Sequence, residues 1–168
     1  MSFYVILRGP LGSGKTTLAE RLVQRLNGRV VSIDRLLEAH DLEQWEDDYI
    51  SERSFLQANG FAIAEAEPWL RRRTPVVFDG NFYWRSVIDD LLQRLPYPHA
   101  VLTLRLPLAV CVGRDAGRTP SLGAEATRDV YRKVTSFDYG VPIEASGSVD
   151  ETLDRILSTL RAAGMFGT

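Results

Sequence analysis

Eight consecutive residues near the start of the chain have the types and spacing that hold a triphosphate: Gly9-Pro10-Leu11-Gly12-Ser13-Gly14-Lys15-Thr16. In such a loop the glycines let backbone N–H groups surround phosphate oxygens, Lys15 supplies a charge for the β- and γ-phosphates, and the Thr16 hydroxyl suits Mg²⁺. The apolar run Phe3 to Leu7 precedes the loop, and helical periodicity follows it. This order predicts a Walker A site for a nucleoside triphosphate and Mg²⁺, with contacts extending to Thr17.

Two acidic residues follow apolar runs that are typical of strands. Asp34 comes after Val30 to Ile33, and Asp79 comes after Val76 to Phe78. Ligands of doubly wound sheets bind beyond the carboxyl ends of the strands, so both acids are expected beside the nucleotide. We interpret Asp34 as the carboxylate that orients and deprotonates an acceptor hydroxyl, and Asp79 as a ligand of Mg²⁺ or of the acceptor. The structural alternatives are a helix N-cap for the first and a turn for the second.

Two arginines, Arg114 and Arg118, are spaced to face one way on a helix. Phosphoryl transfer spreads negative charge over the equatorial oxygens, and cations that close over them stabilise the transition state. Gly117 and the residues up to Gly123 give a segment able to move, so we predict a lid over about residues 114–123. The alternative is a solvated helix end, where cations complement the helix dipole.

Further candidates surround the expected acceptor position. Besides Asp34 and Asp79, we expect acceptor contacts from Arg85, which follows the third strand's acid, and from Tyr49. A surface role for the arginine and simple packing for the aromatic ring are the alternatives. An acidic stretch nearby suits a neutral or cationic small molecule better than a phosphate backbone, unless it is only a solvated face. It contains Glu43, Glu46, Asp47, Asp48 and Glu52.

The rest of the chain alternates between strand-like and helical patterns, which predicts an α/β fold with a parallel sheet covered on both faces. The predicted strands are Phe3 to Leu7, Arg29 to Ile33, Pro75 to Phe78, Ala100 to Leu106 and Val141 to Ala145. The predicted helices lie near 15–26, 84–95, 107–116, 124–137 and 149–163. A longer helical region covers about 35–73, with a break expected at Asn59-Gly60. This insertion after the second strand is a natural acceptor-binding cap.

Composition sets outer limits on what the protein does. The chain has 168 residues, 45% hydrophobic and 25% charged, as expected for one soluble domain over residues 1–168. A net charge of −2 lacks the positive excess typical of proteins that bind nucleic acid, so we do not expect a nucleic-acid partner. Cys111 is the only cysteine, which excludes an internal disulfide and suggests a small buried side chain. With no apolar segment of about 20 residues and no signal peptide pattern, we expect a cytoplasmic monomer or homodimer without membrane contact.

Four of these elements together resemble the small P-loop kinases, among which polynucleotide 5′-kinase domains, chloramphenicol phosphotransferase and the zeta-toxin-like kinases are most similar. The elements are Gly9 to Thr17, Asp34, Phe78-Asp79-Gly80-Asn81 and Arg114-Asp115-Ala116-Gly117-Arg118. The resemblance implies a three-layer P-loop fold with a five-stranded parallel sheet of order 2-3-1-4-5. It also implies ATP and Mg²⁺ as ligands, the acid after the second strand, Asp34, as the base, and the two arginines as lid residues.

The patterns favour an ATP-dependent kinase that moves the γ-phosphate of Mg·ATP to a hydroxyl of a small molecule, with Lys15, Asp34, Arg114 and Arg118 as catalytic residues. The alternatives are a nucleotide-hydrolysing switch, a nucleotide-binding partner protein without an acceptor, and a polynucleotide 5′-hydroxyl kinase. Shikimate kinases carry an acid where this chain has Ser32 and a Gly-Gly-Gly after the third strand, so shikimate is not the expected acceptor. Adenylate kinases have Asp-Gly-x-Pro-Arg where this chain continues from Asp79 with Gly80-Asn81-Phe82.

Overall fold

A five-stranded parallel sheet forms the centre of the computed structural model, which describes residues 2–167. Its strands are β1 (Tyr4–Arg8), β2 (Arg29–Ser32), β5 (Val76–Gly80), β6 (His99–Arg105) and β7 (Val141–Glu144). A hairpin of two short strands, β3 (Trp45–Glu46) and β4 (Tyr49–Ile50), lies between β2 and β5 in the chain. The sheet order is β2-β5-β1-β6-β7. Counted within the sheet alone this is 2-3-1-4-5, which confirms the predicted order.

Helices cover both faces of the sheet. They are α1 (Lys15–Leu26), α2 (Ile33–Ala39), α3 (Glu52–Arg71), α4 (Arg85–Arg94), α5 (Leu108–Ala116), α6 (Ala124–Val134) and α7 (Val149–Ala162). Alternate side chains of β1 enter the two layers, as strand geometry requires. Val5 and Leu7 pack with α1 and α7, whereas Tyr4 and Ile6 pack with α2, α3, α4 and α6. The predicted three-layer α/β fold is therefore confirmed.

The two central strands carry the functional loops. Every residue of β1 and β5 is buried, which explains the apolar runs Tyr4 to Leu7 and Val76 to Phe78 within them. The strands pair in parallel with Leu7 opposite Asp79, so the acid at the end of β5 lies level with the residues that lead into the Gly9 to Thr16 loop. The register thus brings two distant sequence motifs to one edge of the sheet.

The predicted helix break at Asn59-Gly60 is wrong. Helix α3 continues through both residues, because Asn59 is fully buried and its amide nitrogen donates to Val87 O and to Asp90 Oδ2, each at 2.9 Å. These contacts with α4 override the low helix propensity of the pair. The interruption lies instead between α2 and α3, at the β3–β4 hairpin.

The hairpin turn is formed by two residues that the sequence analysis treated only as part of an acidic stretch. Asp47 and Asp48 have φ values of 49° and 66°. Positive φ at both central positions is typical of the tight turns that join antiparallel strands, and aspartate tolerates it better than most side chains.

Strand β7 forms one edge of the sheet. Ala145 N donates to Arg105 O at 2.8 Å, so the odd-numbered residues of β7 face β6 and Pro142 and Glu144 face outward. Pro142 has no N–H to offer, and Glu144 O accepts a hydrogen bond from Arg155 Nη1 at 3.2 Å.

One expectation from composition has a structural counterpart. Cys111 is fully buried on α5, as predicted for a small apolar side chain. Across residues 2–167, no helix has both the length and the apolar character needed to cross a membrane.

Candidate functional site

A cleft of about 420 Å³ opens at the carboxyl edge of the sheet and gathers most of the predicted site residues. Its walls are formed by Leu11, Gly12, Gly14, Lys15, Thr16, Thr17, Asp34, Arg114, Arg118 and Leu122. Gly9, Pro10 and Ser13 are buried beneath it. A smaller cavity of about 150 Å³ between β6 and α6 touches Pro10 but none of the predicted catalytic side chains. The larger cleft is therefore the candidate site.

The loop between β1 and α1 has the geometry of an anion cradle. Gly12 and Gly14 adopt left-handed φ values of 74° and 87°, which turn the backbone sharply before α1 begins. No side chain caps the N-terminus of α1, whereas Ser32, Ser51 and Ser148 cap α2, α3 and α7. The first N–H groups of α1 thus have no capping side chain as a partner, and a phosphate group satisfies such donors.

The Lys15 ammonium lies over this loop. Its Nζ donates to Pro10 O at 3.0 Å, and only 8% of the residue is exposed. Burial lowers the pKa of Lys15, while the carboxylates of Asp79 and Asp34 oppose that shift. A buried cation facing two acids across a cleft is poised to take a polyanionic ligand.

Thr16 and Asp79 meet on the floor of the cleft. The Thr16 hydroxyl donates to Asp79 Oδ2 at 2.9 Å. Burial raises the pKa of Asp79, and Lys15 and the Thr16 hydrogen bond work against it. Within the described chain, no group of three or more His, Cys, Asp and Glu side chains forms a metal cage. One hydroxyl and one carboxylate nevertheless fit Mg²⁺, which takes most of its ligands from phosphates and water.

Asp34 projects into the cleft from the first turn of α2. The N-cap role considered for it belongs to Ser32, whose Oγ accepts from Arg35 N. No hydrogen bond from the described residues occupies the Asp34 carboxylate, which lines the cleft and is exposed to solvent. The surrounding protein raises its pKa by desolvation, with Lys15 opposing and Asp79 adding to the shift. A raised pKa suits a group that accepts a proton near neutral pH.

Arg114 and Arg118 both line the cleft, and they lie in the segment predicted as a lid, residues 114–123, which is called the lid segment below. Arg114 lies on α5 and donates to Ser13 O at 3.4 Å and to Gly147 O at 3.0 Å. Arg118 lies beyond the end of α5 at Ala116, so the two arginines share the cleft but not one helix.

A family profile described as AAA domain matches residues 5–137, which include every element of this cleft. The chain belongs to that family. A curated relative of this AAA-domain chain, a shikimate kinase of Corynebacterium efficiens, is 29% identical over 134 residues, covering 77% of this chain and 75% of the relative. The position at which shikimate kinases are expected to carry an acid is occupied here by Ser32, the cap of α2.

Several solved structures share the fold of this AAA-domain chain. A sugar kinase of Janibacter sp. HTCC2649 has a TM-score of 0.74 and 17% identity, covering 100% of this chain and 99% of that one. The APS kinase of Mycobacterium tuberculosis has a TM-score of 0.71 and 15% identity, covering 95% of this chain and 98% of that one. A gluconokinase of Sinorhizobium meliloti 1021 has a TM-score of 0.66 and 19% identity, covering 96% of this chain and 93% of that one. The predicted resemblance to small P-loop kinases is therefore confirmed.

Arg8 is a residue of this AAA-domain chain that sequence reasoning missed. It ends β1, is fully buried, and has no carboxylate within ion-pair distance among the described residues. Its guanidinium donates to Phe82 O, Thr103 Oγ1 and Val134 O at 2.9 to 3.3 Å, and burial lowers its pKa to about 10. Arg8 thereby ties the start of the phosphate loop to β5, β6 and α6. The only sequence signal was a charge at the end of an apolar run.

Arg85 does not reach the cleft, contrary to the predicted acceptor contact. Its guanidinium donates to Asp138 O at 3.0 Å and lies over the rings of Phe137 and Tyr139, 5.1 and 5.2 Å from their centroids. As the first residue of α4 it faces the segment after α6, a direction that sequence spacing does not reveal.

Tyr49 is also engaged elsewhere. Its hydroxyl donates to Asp129 O at 3.1 Å, which joins the β3–β4 hairpin to α6. Lys133 of α6 lies over the Tyr49 ring and, at 3.6 Å, over the Trp84 ring. Tyr49 therefore stands at the wall formed by the hairpin and α6 and does not line the cleft.

Gly12 provides a stability test of the phosphate loop. A Cβ at this position would lie 2.3 Å from Cys111 O, and the positive φ adds strain for any other residue. We expect Gly12→Ala to lower the free energy of unfolding by about 1 to 3 kcal/mol, measured by urea denaturation. Gly113→Ala on α5 is the matched control, because its Cβ meets no atom within 4 Å; it should stabilise by about 0.5 to 1 kcal/mol. Equal effects of the two changes would contradict the packing described here.

Proposed function

We propose that this protein is an ATP-dependent phosphotransferase that moves the γ-phosphate of Mg·ATP to a hydroxyl of a small molecule. One observation carries the proposal: the Asp34 carboxylate stands without a hydrogen-bond partner in the same cleft as Lys15 and the Thr16–Asp79 pair. An alcohol acceptor loses its proton as it attacks, and a free carboxylate at this position can take that proton. An attacking water would lose a proton in the same way, so stimulation of turnover by an acceptor is the result that separates the kinase from the switch.

The phosphate-binding half of the cleft supplies position and charge. Backbone N–H groups of the loop and of the first turn of α1 would hold the β- and γ-phosphates, with Lys15 neutralising them. Thr16 and Asp79 would hold Mg²⁺, which would supply positive charge to offset that of the phosphates. Arg114 and Arg118 would stabilise the charge that spreads over the transferred group.

The other half of the cleft would activate the acceptor. Asp34 orients the hydroxyl and accepts its proton as the oxygen attacks the γ-phosphorus. Its raised pKa increases its strength as a base, and the positive charge of Lys15 opposes that rise. Asp34 lies in the first turn of α2, whose N-terminus is capped by Ser32, so its backbone is held at the cleft.

The relatives support the reaction class and leave the acceptor open. Each of the named proteins is called a kinase, and their names refer to shikimate, gluconate, a sugar or APS. In this chain the acids of the hairpin region, Glu43, Glu46, Asp47, Asp48 and Glu52, are all exposed. Their charge supports a neutral or cationic acceptor over a polyanion. A cytoplasmic monomer or homodimer without nucleic-acid or membrane partners remains our expectation.

The proposal is tested by ADP release from Mg·ATP, with GTP in parallel, alone and with a panel of acceptors. The panel contains sugars, sugar acids, nucleosides, hydroxylated antibiotics and a 5′-hydroxyl oligonucleotide. We expect one small-molecule class to stimulate ADP release and to yield a phosphorylated product by mass spectrometry. Hydrolysis that no acceptor changes would favour the switch, and turnover with the oligonucleotide alone would favour a polynucleotide kinase.

A further inference from the structure

One carboxylate organises the lid segment. Asp115 lies near the protein surface, but the loop after α5 covers it so that only 1% of it is exposed. Its Oδ2 accepts hydrogen bonds from Ser121 Oγ at 2.7 Å, Gly123 N at 3.0 Å and Leu122 N at 3.2 Å. All three donors come from the far end of the loop, so the carboxylate closes residues 115–123 into a ring.

Asp115 also makes hydrogen bonds at both ends of that ring, to Arg118 at the start of the loop and to Gly123 at its end. Asp115 O accepts from Arg118 N at 3.0 Å, which fixes the first turn of the loop. Gly123, held by the carboxylate, is the N-cap of α6, and Gly123 O accepts from the backbone and side chain of Thr127 at 3.1 and 2.9 Å. The arrangement therefore connects the end of α5 to the start of α6.

The charge state of Asp115 supports this role. Hydrogen bonding from Ser121 and from the Leu122 and Gly123 amides lowers its pKa against the opposing effect of burial. No positive side chain forms an ion pair with it in the part of the chain that the structure describes. The carboxylate therefore accepts its hydrogen bonds from the loop alone, and because it is charged these bonds are stronger than those between neutral groups.

We propose that Asp115 is a positioning residue for phosphoryl transfer, which holds the lid segment so that the Arg118 side chain enters the cleft. Arg118 has no hydrogen bond of its own to direct its side chain among the described residues, so its place depends on the backbone that carries it. Leu122, held by the same carboxylate, also lines the cleft. This inference rests on the proposed phosphotransferase activity.

The test is a double-mutant cycle between Asp115 and Arg118, with turnover measured on whichever acceptor of the panel stimulates ADP release. Arg118→Ala is expected to lower kcat about 10²-fold with little change in the Kd of Mg·ATP. Asp115→Ala is expected to lower kcat at least tenfold. Asp115→Asn keeps one accepting oxygen, so its kcat should lie between those of Asp115→Ala and the wild type. If Asp115 acts through Arg118, the double variant loses no more than Arg118→Ala alone.

Glu125→Gln provides a matched control, because it removes one negative charge from the exposed first turn of α6 beside the lid segment. Its kcat should stay within about twofold of the wild type. Thermal unfolding identifies any Asp115 variant that fails to fold, and hydrogen exchange of the Leu122 and Gly123 amides reports the loss of their acceptor. Additive losses in the double variant overturn the inference while leaving the proposed function intact, whereas an inactive wild type overturns both.

Discussion

Replacing Lys15 with alanine is expected to abolish phosphotransfer and to weaken Mg·ATP binding by about 10- to 100-fold. The ammonium is the only buried cation that lines the cleft in residues 2–167, and the proposed function places it against the transferred phosphate. Alanine removes the charge and the contact with Pro10 O but leaves the loop glycines unchanged. Binding is measured by titration calorimetry and turnover by ADP release.

The other lysine, Lys133, is the matched control for this change. Its Nζ lies over the rings of Trp84 and Tyr49 and does not line the cleft. Lys133→Ala should leave the Kd of Mg·ATP within about twofold of the wild type, because a partly exposed cation–π contact contributes mainly to stability. Retained phosphotransfer in Lys15→Ala would remove the Walker A interpretation.

Asp34→Asn is expected to reduce kcat by about 10²- to 10⁴-fold while leaving Mg·ATP binding within about threefold. The amide keeps the size of the side chain but cannot accept the acceptor's proton. Since Ser32 and not Asp34 caps α2, the substitution should not unfold the helix. Equal losses of binding and turnover would contradict the role of base.

The pH dependence gives a second readout of Asp34. A base works in its deprotonated form, so kcat should fall as the pH drops through its pKa. Desolvation by the surrounding protein raises that pKa from its usual aspartate value, so the acidic limb should move upward with it. In Asp34→Asn this limb should disappear. Glu38→Gln, one turn further along α2 and exposed, removes the same charge and should preserve both the rate and the limb.

The sequence predicted best those parts of the molecule that are determined by residues close together in the chain. Helix α1 has the predicted bounds, and the five sheet strands lie within one or two residues of their predicted positions. A motif of fixed spacing between an apolar run and a helix leaves little freedom, because the glycines must turn where β1 ends. The gathering of Lys15, Asp34 and Arg114 in one cleft follows from the edge at which parallel strands end.

The features that the sequence did not reveal depend on partners far away in the chain. Arg85 is drawn toward the carbonyl of Asp138, 53 residues later, and Tyr49 toward Asp129, 80 residues later. Asn59 stays helical because its amide finds acceptors on α4. Spacing indicates which residues are near a site along the chain, whereas such contacts decide where each side chain points.

The outward-facing edge of β7 has a consequence for how this protein behaves at high concentration. Exposed edge strands offer rows of N–H and C=O groups to which strands of other molecules can add. Here the first outward position, Pro142, has no donor, and the carbonyl at the second, Glu144, is already taken by Arg155. Fewer groups on this edge are therefore free to pair with an added strand, which lowers its tendency toward β-augmentation.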